Sequence, residues 1–498
     1  IDFIMAKNKT RIADATRCLM CYQPICDIAC QKKVFPAGII HALHLKNEAG
    51  AYLRSAENVS CLHCDDAKCE KACARGRVDS PIRIQEICRY VSQMKNISRE
   101  STQAELSVNF CGIRCENPFF LASSPVASSF EMCCHAFDAG WAGVSYKTIS
   151  FYQSREVSPR FDALPGEHPF SFCGFKNLEQ LSPHSAEENF EIIRRLKERY
   201  PEKVIIASIM GRNCDEWTVL ARMAEEAGAD LIECNFSCPQ MAKQGLGSDI
   251  GQDQDLIALY TRATRKGSRL PIIAKMTPNI GNMELPAMTA IANGANSLAA
   301  INTVKSITRI NTENFSSYPD IGGQSAVGGY SGQAVKPIAL RFIRDLASYP
   351  PLKGIPLFGI GGITTWQDAL DFILLGCTAL QVCTSVMEYG YRIIDHLKEG
   401  LSIYMKQHDI ASLDELRGLA LPNLVQPEQL DRERKLHCEI DSRRCIHCGR
   451  CYISCLDGGH QAIGWEKRTP MIDKSLCVGC GLCTLVCPTE AISLVNSL

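Results

Sequence analysis

No apolar run in this chain of 498 residues approaches the roughly 18 residues that a membrane-spanning helix needs, so no membrane partner is expected. Neither sign of charge is in surplus. Lys and Arg number 53 against 54 Asp and Glu, which leaves no electrostatic case for nucleic acid or an anionic membrane surface. No GxGxxG follows an apolar strand-like run, so the chain is expected to hold no FAD or NAD(P) of its own. The opening IDFIMAKNKT lacks the apolar core of a secretory signal. The expected compartment is therefore a reducing cytoplasm, and the sequons at Asn58, Asn96, Asn235 and Asn314 are chance matches.

What the chain has in abundance is cysteine, 28 in all. In a large chain without a signal that points to metal or catalysis, not to a disulfide scaffold. Nine lie within residues 18–88 and nine within 438–487, while 89–437 holds ten scattered ones. A cysteine-rich head, a large middle and a cysteine-rich tail are expected. The boundaries read as 1–104 and 105–420, then a proline-bearing, charged linker at 421–440 and a tail at 441–498.

The middle alternates short apolar runs with amphipathic helical stretches such as SAEENFEIIRRLKERY. Eight runs recur: PFFLASSPV, AGVSYKTIS, KVIIASIM, ADLIECNFS, PIIAKMTP, NSLAAINTV, PLFGIGGI and ALQVCTSV. Near-continuous apolar strands between helices mean a parallel sheet covered on both faces. Eight βα units fit a (β/α)8 barrel, with a doubly wound sheet as the alternative. Functional groups of such barrels gather where strands end. Here those ends carry Ser123–Ser124, Lys147–Thr148, Asn235–Ser237–Cys238, Lys275, Asn302–Thr303, Gly361–Gly362 and Cys383–Thr384–Ser385. The glycine pair, the last strand end and a turn at GGYSGQA (328–334) are candidates for a phosphate site. Lys147 and Lys275 are candidates to face the electron-rich edge of a reduced flavin.

The tail reads CIHCGRCYISC and then CVGCGLCTLVCP, which is CxxCxxCxxxC twice. At that spacing three cysteines wrap one cubane and the fourth reaches to the other. Cys445, Cys448, Cys451 and Cys487 are expected to hold one [4Fe-4S] cluster. Cys477, Cys480, Cys483 and Cys455 are expected to hold the second. Zinc knuckles are the alternative, but they rarely use a third cysteine at this interval. In the head, CLMCYQPICDIAC and CLHCDDAKCEKAC repeat CxxCxxxxCxxxC, and Cys88 follows. One reading gives each repeat its own cluster.

The head resembles the N-terminal iron–sulfur domain of dihydropyrimidine dehydrogenases and of the glutamate synthase small subunit. That likeness implies a helical domain with two clusters, one on Cys18, Cys21, Cys26 and Cys73. The other would be on Cys30, Cys64, Cys69 and Cys88, leaving Cys61 spare. NPFFLASSPV, GFKNLEQ, NFSCPQ, AKMTPN, INTV, GGYSG and GIGGI make the middle similar to the catalytic domain of dihydropyrimidine dehydrogenase and, more broadly, of dihydroorotate dehydrogenase. The resemblance implies an FMN-binding barrel flanked by the helical head and an α+β two-cluster ferredoxin-like tail, four [4Fe-4S] clusters in total. It implies FMN contacts from Ser123, Lys147, Thr148, Asn177, Asn235, Lys275, Asn302, Gly332, Gly361, Gly362, Cys383 and Thr384. It places a pyrimidine base against Asn177, Asn235, Ser237, Asn302 and Thr303.

The reaction implied is reduction of uracil or thymine, with hydride from FMN and a proton from Cys238. A free thiol of pKa about 8.5 is mostly protonated at pH 7 and can act as that acid. The loop after it carries glycines at 245, 247 and 251 and is a candidate lid. Electrons are expected from a separate FAD/NAD(P) flavoprotein subunit or a soluble ferredoxin. A homodimer of this chain within a hetero-oligomer is also expected. Two rivals stay open: dihydroorotate oxidation, and an electron-transfer subunit with a non-catalytic barrel.

Overall fold

The structure is a computed structural model that describes residues 12–56, 61, 64–94, 104–166, 171–237 and 247–496. They divide into two compact units, Ala15–Pro422 on the one hand and residues 12–14 with the part from Asn423 onward on the other.

Eight parallel strands form a closed barrel in chain order. They are β1 (Phe119–Leu121), β2 (Gly143–Ile149), β3 (Val204–Ile209), β4 (Leu231–Asn235), β5 (Ile272–Lys275), β6 (Ser297–Ala300), β7 (Leu357–Ile360) and β8 (Ala379–Val382). Each coincides with one of the eight apolar runs, and closure of β8 onto β1, with Gln381 opposite Phe120, rules out the doubly wound alternative. Every residue of these strands is buried, the consequence of a packed interior on one face and helices on the other. The helices start where side chains can cap them. Ser185 and Thr365 form capping boxes with Glu188 and Asp368, and Asn213 and Asp253 cap the next turns alone. Gly143 shows how tight the wall is. A Cβ there would lie 2.3 Å from the Phe120 ring and 2.5 Å from the Val204 carbonyl oxygen.

A second sheet, absent from the sequence reading, is built from chain inserted after β2 and after β6. Its antiparallel order is Val304–Ser306, Gly328–Ser331, Phe172–Asn177, Phe161–Pro165. The stretch GGYSGQA is thus not a free turn. Its first four residues are a strand, and Gln333–Val335 then lead into the helix Lys336–Ser348.

The head consists of short helices around their own core of Val34, Ile39, Ile40, Leu43, Ile84, Ile87 and Val91. It is fastened to the barrel by polar contacts. Arg392 donates to the carbonyl oxygens of Met20 and Cys21, the latter at 3.0 Å. Glu399 accepts from Arg54 at 2.6 Å and from Asn47 at 2.7 Å. Two histidines sit in this seam, His41 of the head and His396 of the barrel. Burial, with Arg392 and Arg54 nearby, lowers His41 to about 3 and His396 to about 4. An unfolded histidine takes up its proton near pH 6.5. Between that value and the folded ones the unfolded chain binds more protons, so stability is lost as pH falls below about 6.5. The expected loss from pH 6.5 to 5 is on the order of 2 kcal/mol per histidine. A melting-temperature series against pH measures it, and His396→Gln should flatten the acid limb.

The tail pairs Leu436–Ile440 with Ile492–Asn496 and Ile463–Glu466 with Thr469–Ile472, beside helices Arg450–Gly458 and Leu482–Val486. Its first strand lies inside the 421–440 span read as linker, because the LHCEI pattern is masked by the charge before it. The buried core here is Cys438, Cys451, Ile463, Cys483 and Ile492. Three of these five are cysteines, so apolar burial alone cannot hold so small a unit. Among the described residues no helix is long and apolar enough to cross a membrane.

Candidate active site

Where the barrel strands end lies one cavity, with about 1250 Å³ of empty space when the part open to solvent is counted. All twelve residues expected at the cofactor line it, Ser123 through Thr384. So do Asn177, Asn235, Asn302 and Thr303 of the expected substrate set. Ser237 is not in the wall but fully buried behind it, and its hydroxyl accepts from Asn302 Nδ2 at 2.7 Å and donates to Asn235 Oδ1 at 3.0 Å. Asn235 Nδ2 in turn donates to Thr148 Oγ1 at 2.9 Å, and Thr148 meets Ser123 and Ser208 hydroxyls at 3.0 Å each. This network, running from β1 to the end of β6, fixes how the two carboxamides face the cavity. Cys238 and the first part of the loop behind it, 239–246, lie outside the described residues.

The inserted sheet supplies one wall, through Phe161, Phe172, Phe175 and Tyr330. Beside that wall, Gly332, just after the inserted strand Gly328–Ser331, and the glycine pair after β7 make a cradle. Gly332, Gly361 and Gly362 have φ of +89°, +131° and +74°. A Cβ on Gly362 would meet the Lys336 Cβ at 2.8 Å. Glycine backbone after the inserted strand and after β7, with helix starts at Lys336 and, beyond β8, at Thr384, suits a phosphate group.

Both cavity lysines are buried, and each has an acidic partner. Lys147 Nζ is 2.8 Å from Glu179 Oε2, and Lys275 Nζ is 3.3 Å from Glu233 Oε1. Gln381 Nε2 donates to the other Glu233 oxygen at 2.8 Å, while Gln381 Oε1, buried, has no partner. The lysines therefore bring less net positive charge than they do when read alone. Glu233 and Gln381 were missed, although each interrupts an apolar strand just as the lysines do. Cys383 is held above the usual thiol range by burial, with Lys147 and Lys275 opposing the shift. The donor set, the glycine cradle and the orphaned Gln381 oxygen fit a flavin mononucleotide: phosphate at one end, a hydrogen-bonding ring at the other.

In the head, the structure groups thiols across the two repeats. Cys18 lies among Cys21, Cys26 and Cys73. Cys69 lies among Cys30, Cys61 and Cys64, and Cys88 is hydrogen-bonded to Cys61. One cluster per repeat does not match this crossing. Cys61, expected to be spare, stands beside the second group. In the tail, Cys445, Cys448, Cys451 and Cys487 line one small cavity. Cys455, Cys477, Cys480 and Cys483 line another, together with Cys438, to which the spacing gave no role. Cys438 Sγ is 3.7 Å from Cys477 Sγ.

Comparison with known proteins agrees with this geometry. A dihydroorotate dehydrogenase family model matches residues 105–405, a 4Fe-4S dicluster model matches 438–494, and a dihydropyrimidine dehydrogenase domain II 4Fe-4S model matches 3–100. The NAD-dependent dihydropyrimidine dehydrogenase subunit PreA of Escherichia coli (strain K12) is 53% identical over 392 residues, 78% of this chain and 95% of that protein. The chain belongs to the dihydropyrimidine dehydrogenase family. The chloroplastic dihydropyrimidine dehydrogenase (NADP(+)) of Arabidopsis thaliana is 35% identical over 353 residues, 69% of this chain and 83% of that protein. The dihydroorotate dehydrogenase B catalytic subunit of Pyrococcus abyssi is 37% identical over 317 residues, 64% of this chain and 99% of that protein. This member of the dihydropyrimidine dehydrogenase family thus joins iron–sulfur domains at both ends to a barrel of the dihydroorotate dehydrogenase type.

Proposed function

We propose that the chain is the catalytic subunit of a dihydropyrimidine dehydrogenase, an oxidoreductase acting on the CH–CH bond of uracil or thymine. The observation that carries the reading is the convergence of Asn177, Asn235, Asn302 and Thr303 with two lysines and a glycine cradle in one cavity. Carboxamides offer both a donor and an acceptor, as the imide edges of a pyrimidine do. A site built of such groups rejects rings that lack them, because its own buried polar atoms would go unpaired. FMN, when bound, exchanges electrons singly with clusters and as a pair with substrate. Reduction adds hydride at carbon 6 and a proton at carbon 5, and Cys238, following Asn235 and Ser237, supplies that proton. The dihydroorotate reading is disfavoured by the ion pair of Lys147 with Glu179, which leaves that cavity lysine's charge offset rather than available to hold an anionic substrate.

The cluster assignment is four [4Fe-4S] centres. The tail pair uses Cys445/448/451/487 and Cys477/480/483/455. The head pair uses Cys18/21/26/73 and Cys30/64/69/88. Relatives named as subunits support an outside electron source, a flavoprotein with FAD and NAD(P) or a ferredoxin. Two copies of this chain within a hetero-oligomer complete the assembly.

Spectra and turnover test the reading together. The purified chain should show flavin absorbance and oxidise a reduced artificial donor only when uracil or thymine is added. Absence of flavin, or turnover with dihydroorotate alone, would sink it. For the head, iron analysis of Cys88→Ala should show one cluster lost, whereas Cys61→Ala should keep its iron. Equal loss from both would overturn the ligand assignment.

A further inference from the structure

Lys275 is an ammonium buried to 3% exposure, on the last residue of β5. Among the described residues its hydrogen-bond partner is Glu233 Oε1, at 3.3 Å. That is long for a charge-assisted bond, which usually falls near 2.7–2.9 Å. An ammonium has three donors, so two are left for whatever fills the cavity. Glu233, on the neighbouring strand β4, is fully buried, and its second oxygen is held by Gln381 of β8. Gln381 is 1% exposed and lines the same cavity with an acceptor oxygen that has no partner.

Stability does not explain such a row. A buried ion pair does little better than well-packed apolar side chains of the same volume. A carboxylate, an ammonium and a carboxamide spanning three strands inside an apolar barrel are therefore retained for what they do to a ligand. Their opposite charges nearly cancel, and the distance between them decides how much positive potential reaches the cavity. Protein charge beside a flavin ring tunes its electronics.

Building on the flavin reading above, we propose that Glu233 is a positioning residue. Held by Gln381, it fixes the Lys275 ammonium in the cavity floor and sets the midpoint potential of the bound flavin. Glu233 touches neither cofactor nor substrate in this scheme, and it acts through Lys275. Glu233→Gln keeps the shape and removes the negative charge, so the site becomes more positive and favours electron-rich flavin. The expected effect is about a tenfold rise in the reduced-to-oxidised ratio at fixed potential, or about 30 mV upward for a two-electron couple. Sulfite, an anion that binds oxidised flavin, should bind about tenfold more tightly in parallel. Lys275→Met should move both readouts the other way, and Glu233→Gln/Lys275→Met should return them close to wild type.

The test is redox titration and sulfite titration of the flavin in the purified full-length chain and these variants. Gln381→Leu keeps both charges and guards against a Glu233 variant that does not fold. Freed from its donor, the carboxylate holds Lys275 more strongly and the potential falls. Flavin retained with unchanged potential and sulfite affinity in Glu233→Gln, or in Gln381→Leu if that variant alone folds, overturns the proposal. A wild-type chain that holds no flavin overturns the underlying reading and the proposal with it.

Discussion

Cys238→Ala is expected to lower uracil reduction by about 10²- to 10⁴-fold, the range that a positioned general acid contributes. Flavin absorbance and iron content should stay at wild-type levels. The reason is a division of labour among the cysteines. Sixteen are proposed as cluster ligands, and a thiolate bound to iron has no proton to give. Cys238 stands outside both cysteine-rich ends of the sequence, in ECNFSCPQ, three residues on from Asn235. Asn235 and Ser237, just before it, are tied into the network that reaches Asn302. Replacement should act on the proton step and leave binding largely intact, so kcat falls and KM changes little. Steady-state turnover with an artificial donor checks this directly. Unchanged turnover would remove Cys238 from the mechanism and return it to the cysteines without a chemical role.

Gly362→Val is expected to give a chain with its iron but without flavin. The backbone there has φ +74°, which a β-branched residue adopts only under strain. A Cβ would also press to 2.8 Å from the Lys336 Cβ and 3.1 Å from the Lys336 backbone nitrogen. Relief requires moving the start of the helix Lys336–Ser348, and with it the cradle proposed for the phosphate. The backbone strain alone costs on the order of 1–3 kcal/mol. Gly322→Ala is the control, since Gly322 also has positive φ (+62°) but an added Cβ meets nothing within 4 Å. It should keep its flavin. A yellow, active Gly362→Val chain would mean that the phosphate is held elsewhere.

The barrel was legible because each strand is buried on both faces and so reads as an unbroken apolar run. Its cavity was legible because a polar side chain interrupting such a run needs a reason. The same logic would have reached Glu233 and Gln381 had it been applied to strand interiors as well as strand ends. The inserted sheet was hidden for a different cause. Its strands carry Gly174, Gly328 and Gly329 and alternate irregularly between exposed and buried, and its two halves, which join where Gly329 lies opposite Asn177, come from distant parts of the chain. The crossed tail thiols follow from spacing, which is a local property. The neighbourhood of Cys61 and Cys88 depends on how the helix Ile84–Ser92 packs, and spacing does not report that. Nor could any local pattern show His41 meeting His396 across the seam.

The Arg392 clamp on the head has a consequence for how the protein is made. Its two acceptors, Met20 and Cys21, leave the ribosome well before the guanidinium that holds them, which lies 371 residues beyond Cys21. At about 5–20 residues per second, synthesis separates the two by roughly 20–75 seconds. For that interval the head is a set of nascent thiols with no barrel to lean on, since β1 cannot close the barrel before β8 exists. Iron delivery to the head therefore competes with oxidation during translation, whereas the tail cysteines emerge when the barrel is already complete. Starving cells of iron should consequently yield chains whose shortage of clusters is concentrated at the N-terminal end.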